Sequence, residues 1–161
     1  MSSSIIEYDE RGGTMAAFIR CAVAEDVERL TSFLAEAKLN TDGLAESIDY
    51  FLIMENDQGN VKATLGIEPL GTIGLLRSLA MTKDMSENEL FVLFEQILML
   101  ARDRKLQSLY LSSNKKNSLA FFQLLGFKEV NKLSLPQELY ESDHVKHILT
   151  VDNSFFLTLS L

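Results

Sequence analysis

The chain has 161 residues, 47% of them apolar and 24% charged, which suits one domain around a single core and is too short for two. Its net charge of −8 excludes affinity through a broad basic surface, the main source of nucleic-acid binding. No apolar run reaches a membrane span, residues 1–14 lack the basic-then-apolar order of a secretory leader, and the single cysteine, Cys21, rules out an internal disulfide, so a cytoplasmic protein is expected.

Residues 1–17 are polar, contain Gly12-Gly13 and lack periodicity, which predicts an N-terminal arm or short edge strand ahead of a domain at 18–161. Residues 18–23 read as a strand. Residues 25–38 read as a helix, with Val27, Leu30, Leu34 and Ala37 on one face and Glu25, Asp26 and Glu28 in the first turn. After a loop at 40–47, apolar runs at 50–54 and 61–67 flank Asn56-Asp57-Gln58-Gly59-Asn60, a hairpin signal. Pro69, Gly71 and Gly74 predict the next turn, followed by a strand ending at Met81. Residues 90–104 have the apolar arc of a helix in Leu90, Leu93, Phe94, Ile97, Leu98 and Ala101; Val92 and Met99 fall among its polar positions.

A short apolar strand is expected at 108–112 and a helix at 117–125, stopped where Gly126 permits a left-handed cap. Strands are expected at 127–133 and 154–161, with a loop holding one helical turn at 135–147. This order predicts an α+β fold with one mixed, mostly antiparallel central sheet and helices on both faces. Arg102, Arg104, Lys105, Lys115 and Lys116 read as solvated helix ends, where the helix dipole favours cations.

Two segments carry a family likeness. Leu76-Arg77-Ser78-Leu79-Ala80-Met81 and Ala120-Phe121-Phe122-Gln123-Leu124-Leu125-Gly126-Phe127 resemble the central strand and the late helix of the GNAT superfamily of acyl-CoA-dependent N-acyltransferases. The resemblance spans about residues 18–161 and implies acetyl transfer from acetyl-CoA to a small amine, with no metal. It implies that Leu79, Ala80 and Met81 offer backbone groups to the pantetheine arm through a gap beside the strand at 108–112. It also places Ser86 in the phosphate turn and Asn114 after the later strand as cofactor contacts. In the family that turn is glycine-rich, whereas here Glu87, Glu89 and Phe91 occupy the small-residue positions. Carboxylates repel a diphosphate, and a Ser86–Glu89 capping box is the competing account of these acids. Phe122 stands where the family's usual acid, a tyrosine, would be.

Glu68 and Arg77 are the catalytic candidates. Glu68 is either a general base or an ordinary turn carboxylate; Arg77, a charge in a central strand, either binds an anionic substrate group or pairs with Glu68 or Glu55. Asn114 and Asn117 are alternatively helix caps. His144 and His147 are three apart, too few for a metal site, and Cys21 reads as a buried apolar residue. A catalytically inactive binding or regulatory module on the same fold stays open, as does a homodimer through the late strands or the Val92/Met99 face.

Overall fold

A computed structural model describes residues 4–8, 15–150 and 153–161. The glycine pair Gly12-Gly13 lies outside these residues. Eight strands form one mixed sheet: β1 (Ser4–Tyr8), β2 (Met15–Cys21), β3 (Phe51–Asn56), β4 (Val61–Leu70), β5 (Ile73–Met81), β6 (Ser108–Ser113), β7 (Lys128–Val130) and β8 (Phe155–Ser160), in the order β1-β2-β3-β4-β5-β6-β8-β7. The β5–β6 pairing is parallel, while β1–β2, β2–β3, β3–β4, β6–β8 and β7–β8 are antiparallel. Four α-helices, α1 (Val27–Glu36), α2 (Glu87–Asp103), α3 (Leu119–Leu124) and α4 (Asp143–Ile148), complete the predicted α+β class. The chain divides into two compact units, one of Met1–Ile67 with Ser78–Leu100 and one of Glu68–Arg77 with Ala101–Leu161.

In the first unit, Leu30 and Leu34 of α1 are fully buried and pack with Ala22, Leu44, Phe51, Ile53 and Ala80. Each such leucine contributes roughly 1.5–3 kcal/mol of burial energy. Helix α1 starts later than its acidic residues suggested, because Ala24–Asp26 forms a 3-10 turn. Asp26 is buried there, not solvated: its carboxylate accepts Val23 N–H at 2.8 Å and both Nη groups of Arg20 at 2.8 Å. The hydrogen bonds from Arg20 hold this carboxyl below the usual range. Glu55 joins the cluster, accepting Arg20 Nε at 2.9 Å and Arg29 Nη2 at 3.0 Å, so it is not the partner of Arg77. Cys21, the last residue of β2, is half-buried and not the buried apolar residue expected.

In the second unit, Ile73, Leu75, Leu135, Leu139, Val145 and Phe156 form the core. Phe122 packs edge-to-face on Phe121 and on Phe127, with ring centroids 5.4 and 6.1 Å apart. Gly126 caps α3 at φ +106, the left-handed conformation expected of it.

Other boundaries differ from expectation as well. Strand β4 runs on through Glu68, Pro69 and Leu70, and Gly74 lies inside β5, so the turn is only Gly71-Thr72. A proline fits a strand where its missing N–H is not required for pairing. Strand β7 stops at Val130, since Asn131 accepts Leu133 N–H and folds the chain into a 3-10 turn. The expected loop at 135–147 instead holds a 3-10 turn, Gln137–Glu141, and helix α4, capped by Ser142.

Candidate active site

Glu68 near the end of β4 and Arg77 in β5 come together across the Gly71-Thr72 turn. Arg77 Nη1 donates to Glu68 Oε1 at 3.3 Å, and Ser142 Oγ donates to the same oxygen at 2.8 Å. Ser142 also accepts Val145 N–H as the cap of α4, which ties the start of that helix to Glu68. Glu68 is thus a strand residue fixed by two donors, and no loose turn carboxylate. Its other oxygen, Oε2, has no protein partner among the described residues.

His144 stands close enough to this pair to feel both charges. Burial pushes its imidazole below 6.5, and the positive charge of Arg77 pushes it the same way against the opposing pull of Glu68. The unfolded chain therefore binds a proton that the folded chain refuses, so stability gained above pH 6.5 is lost as the pH falls through the lowered value. Urea denaturation at pH 7.5 and 5.5 should show lower stability at the acid pH, and His144→Gln should remove part of that difference.

Strand β5 pairs with β6 over three residue pairs only, Ile73↔Ser108, Gly74↔Leu109 and Leu75↔Tyr110. Leu76 and Arg77 run on beyond this ladder, while β6 continues against β8 to Ser113↔Phe155. Directly after Arg77, Ser78 has φ +60, which breaks the regular extended geometry within β5. Leu79 is half-buried, Ala80 buried and Met81 exposed on the final turn of that strand.

The following turn serves the helix. Ser86 N–H donates to Glu89 Oε1 at 2.9 Å and Glu89 N–H donates to Ser86 Oγ at 3.0 Å, the reciprocal capping box expected for α2. Thr82 N–H goes to Lys62 O, Met85 N–H to Thr82 O and Leu90 N–H to Ser86 O. Glu89 is also buried, and its Oε2 accepts Lys62 Nζ at 2.7 Å. The N–H groups of Met85, Ser86, Glu89 and Leu90 are thus committed and the Glu89 carboxylate lies among them, a setting that disfavours a diphosphate. Glu87 is exposed.

Asn114 and Asn117 are exposed and cap nothing; Ser113 Oγ accepts Lys115 N–H at 3.1 Å and Ser118 Oγ donates to Lys115 O at 2.6 Å, so the two serines hold the approach to α3. Among the described residues no group of three His, Cys, Asp or Glu side chains is placed to hold a metal ion. Nor is any described helix long and apolar enough to cross a membrane. Sequence reasoning missed Ser142 and weighed His144 only as a metal ligand; both belong to a segment read as loop. Ser142-Asp143 before Val145, Ile148 and Leu149 is a helix-start signal that marks them.

No protein-family model matches the chain. An uncharacterised protein of Bacillus subtilis, YwlB, is 32% identical over 127 residues, covering 78% of this chain and 85% of that protein. The chain belongs to the same family as YwlB. Its fold is that of the GNAT superfamily: Rv2747 of Mycobacterium tuberculosis, solved in complex with CoA, matches with a TM-score of 0.70 at 20% identity over 89% of this chain and 98% of that one. A Staphylococcus aureus acetyltransferase of the GNAT family matches with a TM-score of 0.62 at 19% identity over 99% of both chains. N-acetylglutamate synthase of Neisseria gonorrhoeae, complexed with CoA and N-acetyl-glutamate, also gives 0.70 at 20% identity, with the match spanning 90% of this chain and about a third of the synthase, 35%.

Proposed function

We propose that the chain is a cytoplasmic acetyl-CoA-dependent N-acetyltransferase acting on a small amine. The observation that carries this reading is Glu68, a carboxylate oriented by Ser142 and Arg77 with one oxygen left without a protein partner. GNAT-fold proteins solved with CoA support the choice of donor. Glu68 Oε2 takes a proton from the acceptor ammonium as the nitrogen attacks the thioester carbonyl. The C–N bond forms, the C–S bond breaks, CoA leaves as thiolate, and the second proton shed by the nitrogen passes to that sulfur, directly or through water. The backbone of Leu79, Ala80 and Met81 holds the pantetheine arm. Because the turn before α2 spends its donors internally, donor affinity is lower than a glycine-rich turn would give.

One observation favours a second reading. The committed turn, with Lys62 and Glu89 paired in its interior, suits a GNAT-fold binding or regulatory module that holds no CoA. Thermal denaturation with acetyl-CoA and with CoA separates the two. A donor at a hundred times its dissociation constant adds about 2.7 kcal/mol of stability, and amine-dependent release of CoA thiol then reports transfer. No shift at millimolar CoA supports the binding module and overturns the enzyme.

A further inference from the structure

Arg77 is a half-buried cation with little to hold it. Its side chain is 15% exposed, yet it donates a single long hydrogen bond, 3.3 Å, to Glu68. The other N–H groups of its guanidinium have no protein partner among the described residues. Those groups are open to solvent and so to a ligand, and a planar fork of N–H groups matches a carboxylate.

Beside this open positive group lies an open negative one, Glu68 Oε2. Glu68 is 27% exposed, and only its Oε1 is occupied, by Arg77 and Ser142. A positive and a negative site thus stand side by side, each with unused hydrogen-bonding capacity. From this juxtaposition we infer that the acceptor is an α-amino acid, its carboxylate on the Arg77 guanidinium and its ammonium on Glu68 Oε2. The two charges of an α-amino acid are borne on one carbon, so they lie as close together as those of Glu68 and Arg77. A long ω-amino acid separates its charges too far to use both, and a simple amine leaves Arg77 unanswered. Ser142 fixes the spacing by holding Glu68 from the α4 side. The inference rests on the proposed acetyl transfer for its chemistry, but the recognition site is defined without it.

The test uses the full chain and binding before catalysis. The twenty common amino acids are screened by thermal shift at ten millimolar, and the strongest is compared by calorimetry with its own α-amide. The free acid should bind about tenfold or more tightly than the amide, the loss of one charge-assisted pair. Arg77→Gln should abolish that preference and Arg77→Lys should restore part of it. Equal binding of acid and amide, a preference that survives Arg77→Gln, or no binding by any amino acid overturns the inference. If Arg77→Gln does not fold, the acid–amide comparison on the natural chain decides. Acetyl transfer to the strongest binder is measured separately. Binding without transfer defeats the enzyme and leaves the recognition site standing, whereas transfer to amines regardless of a carboxylate defeats the site and leaves the enzyme.

Discussion

Replacing Glu89 by alanine should cost the protein about 3–5 kcal/mol of stability, the range for breaking a buried ion pair on one side. Lys62 and Glu89 have side chains only 5% and 2% exposed and meet at 2.7 Å. Without the carboxylate, the Lys62 ammonium has only Asp84, 3.9 Å away and 61% exposed, which is too far and too hydrated to compensate it. The variant also loses the acceptor for Ser86 N–H, half of the capping box, for roughly a further 1 kcal/mol. Lys62→Met combined with Glu89→Leu removes both charges together and should recover most of the loss, since apolar pairs often replace buried ion pairs without penalty. Urea denaturation at neutral pH measures both. A loss below about 1 kcal/mol for Glu89→Ala would mean that the pair is solvated. The result bears on function too. Glycine at 87 and 89, the substitution that the sequence invites as a way to open a phosphate cradle, strands the same buried lysine. The double apolar variant clears the carboxylate without that defect, so it is the one in which CoA affinity should rise.

Local chemistry made the capping box legible, because Ser86 and Glu89 are three residues apart and need nothing else to find each other. The same proximity in sequence made Glu68 and Arg77 visible as candidates across one turn. Glu89 had a second partner that no local pattern announces: Lys62 is 27 residues away, near the start of a strand rich in apolar residues. The sequence therefore showed acids in the turn but not that Glu89 is structurally committed. Ser142 is 74 residues from Glu68, and its segment mixes polar and apolar residues around Pro136, which obscures the helical period of α4. The succession of elements along the chain was readable from periodicity and turn residues, whereas strand ends were not. Asn131 ended β7 early through a side-chain hydrogen bond, and β4 carried a proline that reads as a breaker.

Replacing Glu68 by glutamine should lower kcat/KM by roughly 10²–10⁴-fold, the usual range for losing a general base. Glutamine keeps the side-chain length and an oxygen that can still accept from Ser142 and Arg77, so the fold should lose only about 1 kcal/mol, as expected of a partly solvated pair. What it cannot do is take a proton. An acceptor whose nitrogen is already neutral at the assay pH needs no base, so its rate should fall much less than that of an ordinary ammonium. Glu68→Asp retains a carboxylate but withdraws it from Ser142 and Arg77 by one methylene, and should lie between the two. This pattern separates proton transfer from positioning: a residue that only oriented the acceptor would slow neutral and charged amines alike. If glutamine leaves the rate with charged amines within a few-fold of the natural chain, Glu68 is not the base. Its bonds to Ser142 and Arg77 then serve to join β4 to the start of α4.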